Sequence, residues 1–246
     1  MLLPPVATQA RHYVFAQALQ FGVLAFVVPA LLVLGAPWRA GGPFGGQTGA
    51  ELAIRWAAAR SARPAAWRPL ATLAIFLAVA TAWRLPFAVD ALARHWPLTL
   101  AEAVTLVGAG CALWLELVAS PPLTPRISRP QRALFAAVAM WSVWAIGYIL
   151  GFSGTAWFAN YARPVGRGLS IMVDQQIAAA LLWAVPGVVC VPLVYVCLMS
   201  WLRDSADPDG ELGAVRSGLR ASGQAAPRPP RGWTTGRRAP DRVPRS

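Results

Sequence analysis

Five stretches of the chain are almost unbroken in apolar side chains, at about residues 14–35, 70–89, 98–118, 132–153 and 176–202. Each is close to the roughly twenty residues that a helix needs to cross the ~30 Å hydrocarbon core of a bilayer. The pattern predicts an all-α fold, a polytopic membrane bundle of about five transmembrane helices. The first stretch is too long for a signal-peptide core and starts beside weakly basic residues, so a retained helix is expected. The last contains Pro186 and Pro192, which a membrane helix tolerates when neighbours satisfy the freed carbonyls. No internal repeat is visible.

Composition points the same way. Across 246 residues, 57% are hydrophobic and 13% charged, where an ordinary soluble domain carries roughly 25% charged residues. A water-soluble fold of this size could not cover so much apolar surface. The net charge of +12 invites a nucleic-acid reading, but the distribution of charge excludes it. All 22 basic residues are Arg, and they lie in loops and in the tail rather than along one face of a domain. They read as topology determinants and as contacts to anionic lipid headgroups.

The same residues orient the bundle. Arg39, Arg55, Arg60, Arg63 and Arg68 follow the first stretch, Arg126, Arg129 and Arg132 follow the third, and nine more lie from Arg203 onward. Arg11, Arg84, Arg94, Arg163 and Arg167 fall on the other side. The bias predicts an N-terminus outside and a cytoplasmic C-terminus. Residues 1–203 thus form the membrane domain, and 204–246, rich in Pro, Gly and Arg, is expected to be a disordered cytoplasmic tail. Residues 51–62 mix Leu52, Ile54 and Trp56 with Arg55 and Arg60; they fit either a short interfacial helix or a plain loop.

Candidate chemistry comes from polar residues at membrane depth, the default functional candidates in such a protein. Gln17 and Gln20 lie near the outer end of the first helix, Arg84 near that of the second, and Glu102 near the start of the third. Asp174, Gln175 and Gln176 open the fifth. Four helices therefore place polar groups at one depth, and a solvated pocket bounded by Gln17, Gln20, Arg84, Glu102 and Asp174 is expected there. Headgroup solvation alone is the competing account. Glu116 lies towards the opposite end of the third helix. Asp174 is also placed to favour the N-terminus of its own helix through the dipole, worth roughly 0.3–1 kcal/mol. No catalytic constellation is present, so no catalytic residue is assigned and no enzyme is expected. His12 and His95 lie outside the apolar stretches and are weak metal candidates, read first as interface residues. Cys111, Cys190 and Cys197 share no CxxC spacing and read as apolar fillers.

The run Asp174-Gln175-Gln176-Ile177-Ala178, followed by Trp183 and Pro186-Gly187, resembles the DQQ…W…PG signature of the CtaG-type cytochrome c oxidase assembly factors. Leu32-Val33-Leu34-Gly35-Ala36-Pro37, Leu85-Pro86, the Glu102/Gly110/Trp114 spacing, Gly147, residues 149–153 and Tyr161 match in the same order. The resemblance covers roughly residues 14–202. It implies a multi-pass protein of the inner (plasma) membrane of a bacterial cell that helps mature the copper centre of a haem-copper oxidase, with oxidase subunits or other assembly factors as partners. The departures concern His. An HMxQH run of the family reads Gln17-Ala18-Leu19-Gln20-Phe21 here; a His before Leu-Pro is Arg84; His flanking the Glu are Thr99 and Ala103; a fourth position is Val143. One extra residue separates Trp183 from Pro186.

Neutral imidazole and Met sulfur suit copper, and their loss makes copper a doubtful cofactor. Arg84 is expected to stand in for the missing cation and to neutralise Glu102 and Asp174. Gly110 is expected to allow close helix approach rather than chemistry. The leading function is a non-enzymatic assembly factor. The alternatives are a divergent membrane scaffold, or a copper carrier using ligands other than the family's His, such as His12, His95, Met172 and the cysteines.

Overall fold

The computed structural model describes residues 10, 12–37, 51, 54–55, 57–59, 67–158, 161 and 169–206. Most of the tail therefore lies outside the described residues, as do Arg11, Arg39, Arg60, Arg63, Arg163 and Arg167 and part of 51–62. The described residues of that last segment are helical. Packing divides the chain into Met1–Leu202 and Arg203–Ser246. The described residues form helices and short connections, without strands.

Helix α1 spans Val14–Gly35. Pro29 has no N–H to offer the Ala25 carbonyl one turn earlier, and the backbone opens into a π-helical segment at Val23–Val27. Ala36, in the left-handed region at φ 42°, ends the helix. The second apolar stretch is not one straight span. Helix α2 covers Arg68–Arg84, and α3, Pro86–Arg94, leaves it at 65°. Pro86 is the cause: its ring disfavours helical backbone at the preceding residue, and Leu85 sits at ψ 140°.

Helices α4 (Trp96–Leu117) and α5 (Arg129–Phe152) each carry Pro in the first turn, where a missing N–H costs nothing. A capping box joins Ser128 and Gln131 at the start of α5. Helix α6 runs from Ile171 to Ala206 with Pro186 and Pro192 inside. Four of these helices are long and apolar enough to cross a membrane, and the bent pair α2–α3 makes up to five spans.

Small residues set the distances between helices. A Cβ on Gly110 of α4 would lie 2.5 Å from Pro29 Cγ and 2.8 Å from the Ala25 carbonyl oxygen of α1. The close-approach role expected of Gly110 is therefore observed. On α5, a Cβ on Gly147 would meet Trp183 of α6 at 2.7 Å, and Trp183 stacks on Trp144 at 4.9 Å between ring centres. Phe26 of α1 meets Phe76 of α2 edge to face. These contacts run α1, α4 and α6 in one direction and α2 and α5 in the other. The end of the bundle away from Gln17 is closed by Ser120, whose Oγ donates to the Val33 carbonyl (2.6 Å), and by the buried Glu116, which pairs with Arg126 at 3.7 Å.

Candidate functional site: a buried Arg–Gln–Glu–Gln cluster

Because α1 and α4 run parallel while α2 runs against them, the first two turns of α1 and α4 meet the last turn of α2. Gln17 and Gln20, three residues apart, share one face of α1. Both point at Glu102 of α4, which is fully buried. Gln17 Nε2 donates to Glu102 Oε1 at 2.9 Å, and Gln20 Nε2 donates to Oε2 at 3.2 Å. Arg84 reaches in from α2, and its Nη1 donates to Gln17 Oε1. The guanidinium carbon stands 5.1 Å from the centre of the Phe21 ring, a cation–π contact.

Donor chemistry fixes the orientation of this chain of bonds. Arginine has only donors, so Gln17 must present its oxygen to Arg84 and its nitrogen to Glu102. Gln17 thus bridges a buried cation and a buried carboxylate. The two charges also attract one another directly. All four side chains are at most 5% exposed, and three of their atoms, Arg84 Nε, Arg84 Nη2 and Gln20 Oε1, have no hydrogen-bond partner among the described residues.

The remaining candidates go elsewhere. Asp174 is buried, but its carboxylate accepts from the backbone N–H groups of Val14 (2.9 Å) and Phe15 (2.9 Å). It is a cap supplied to α1 from 160 residues away, so the α1 N-terminus rather than Arg84 is the partner bonded to it. Gln175 is a clasp. Its Nε2 donates to the carbonyls of Leu150 and Thr155, and its Oε1 accepts from the Trp157 N–H. Gln176, His12 and His95 are exposed. Cys190 and Cys197 are buried, and Cys111 is partly so.

Tyr161, matched in the sequence only as part of the resemblance, belongs beside the cluster. Its hydroxyl donates to the Ala10 carbonyl at 2.9 Å, and it feels Arg84, Glu102, Asp90 and Asp174 electrostatically. Burial pushes its phenol above the ordinary value, with Arg84 pulling the other way, so the hydroxyl stays a donor. No local signal marks this role, because Ala10 lies 151 residues away.

Copper does not fit these residues. Both oxygens of Glu102 are held by amide donors and a guanidinium stands next to it, where a metal cation would be repelled. Among the described residues, no three His, Cys, Asp or Glu side chains gather as a metal site.

The family model for the cytochrome c oxidase caa3 assembly factor, Caa3_CtaG, matches residues 1–204. The chain belongs to this family. Neither a curated protein nor a solved structure matches it. As a CtaG-family protein it is a helical membrane protein of an assembly-factor family, and its polar cluster lies at the end of the bundle where α1, α4 and α6 begin.

Proposed function

We propose that this CtaG-family chain assists the assembly of a haem-copper cytochrome c oxidase by docking to oxidase subunits or to other assembly factors. It does so without catalysing a reaction and without holding copper at its polar cluster. The observation that carries this reading is the bonded set Arg84–Gln17–Glu102–Gln20: Arg84 and Gln17 stand where the resemblance places His, and Glu102 and Gln20 match the family's Glu and Gln, the Glu without its flanking His. A fixed cation and two amides surround the carboxylate there and hold the first two turns of α1 and α4 against the last turn of α2. The arginine bias supports an outer-leaflet position for the cluster in the plasma membrane, with the tail in the cytoplasm.

The experiment pairs two readouts in one deletion strain. Oxidase activity and subunit accumulation fall without the gene and return with it, while the protein purified from copper-replete cells carries no stoichiometric copper. Glu102→Ala and Asp174→Ala then lower the amount of folded protein rather than its metal content. Copper near one equivalent, lost in Glu102→Ala, would establish the copper carrier instead. Unchanged oxidase in the deletion strain would leave a scaffold outside oxidase assembly.

A further inference from the structure

The three unpartnered atoms of the cluster define a second feature. Arg84 spends Nη1 on Gln17, which leaves the Nε and Nη2 side of its guanidinium unused. Gln20 spends its nitrogen on Glu102, which leaves Oε1 unused. Arg84 is 5% exposed and Gln20 2%. Leaving a buried donor or acceptor unpaired forfeits its hydration with nothing in return, and the loss is larger for a charged group. Buried polar atoms in folded chains are paired in the large majority, so three unpaired in one cluster call for a partner.

The chemistry of the three atoms selects what can compensate them. The occupant must accept from guanidinium N–H groups and donate to an amide oxygen. A metal cation would meet Arg84 donors rather than ligands. An anion would satisfy Arg84 but meet the Gln20 oxygen and the field of Glu102. A neutral molecule with both donor and acceptor capacity is compatible with every group, and the burial of both side chains restricts it to a small one. Water has two acceptor and two donor sites and routinely satisfies buried polar groups in this way.

We propose that Arg84 and Gln20 form a binding site for internal water, which completes the hydrogen bonding of the cluster and hydrates its guanidinium. This rests on the reading above that no metal occupies the cluster. The water is then a structural ligand that lets an arginine stand at a buried position without a directly bonded carboxylate.

The test is an experimental structure of the full-length protein purified from copper-replete cells, at a resolution that shows ordered water, with anomalous data at the copper edge. A second measurement in solution is an NMR water cross-peak to the Arg84 Nε proton in arginine-labelled protein, assigned with Arg84→Lys. The expected result is a solvent-sized peak within hydrogen-bond distance of Gln20 Oε1 and of Arg84 Nε or Nη2, with the cross-peak present. Gln20→Leu should remove or displace that peak. An apolar contact at these atoms with no cross-peak overturns the water site and leaves the docking function standing. Density too large for water does the same. An anomalous copper signal at Glu102 overturns both.

Discussion

Replacing Arg84 by methionine keeps most of the side-chain volume and removes the charge. In the folded protein Glu102 would remain fully buried, held by Gln17 and Gln20 but with no cation beside it, and Gln17 Oε1 would lose its donor. Removing one member of a buried ion pair costs about 3–5 kcal/mol. The pair here is joined through Gln17 rather than in direct contact, which places the expected loss near the lower figure, about 3 kcal/mol. Glu102→Gln removes the opposite charge and should also destabilise, because Arg84 is then the uncompensated ion. The double variant Arg84→Met/Glu102→Gln contains neither charge. In it, Gln20 can turn its free Oε1 towards the new amide at position 102. The double variant should therefore lose less than the sum of the single losses, with a coupling of about 1–3 kcal/mol. Unfolding of detergent-purified protein by increasing SDS, together with the amount accumulating in the membrane, reads these differences. Additive losses, or an Arg84→Met protein as stable as the parent, would refute the claim that the arginine stands in for a missing cation.

Three further outcomes follow from named contacts. Gly110→Ala forces a methyl group against Pro29 and the Ala25 carbonyl and should cost about 1–3 kcal/mol in the same unfolding assay. Gly108→Ala, which meets nothing within 4 Å, is the control and should be near neutral. Asp174→Ala removes both acceptors at the α1 N-terminus, at roughly 0.5–2 kcal/mol, and should speed hydrogen exchange of the Val14 and Phe15 amides. Because burial raises the Tyr161 phenol above its ordinary pKa of 10.0, the unfolded chain ionises there before the folded one does. The stability contribution is complete below pH 10 and declines as pH rises above it. Tyr161→Phe should cost about 1 kcal/mol at neutral pH, through the lost bond to Ala10, and should flatten that alkaline decline.

Most of this architecture is legible in the chain because a bilayer imposes a length and an apolar composition on whatever crosses it. The same constraint made the convergence of Gln17, Gln20, Arg84 and Glu102 visible, since polar residues on separate helices at one depth have few other uses. The bend at Leu85 was also written in the sequence, as Pro86, but the run of apolar residues across it hides the break. What a run of residues cannot disclose is azimuth. Gln175 and Gln176 are neighbours at the same depth, about 100° apart around α6. The first is 2% exposed and clasps the end of α5, whereas the second is exposed. Asp174, one residue earlier, faces α1. Asp174 and Gln175 thus take different roles, decided by what each one meets, while Gln176 beside them stays exposed. Depth sorts such residues into one group; azimuth, together with the close approach of α4 to α1 at Gly110 and of α5 to α6 at Gly147, separates the four that form the cluster from the two that fasten the fold around it.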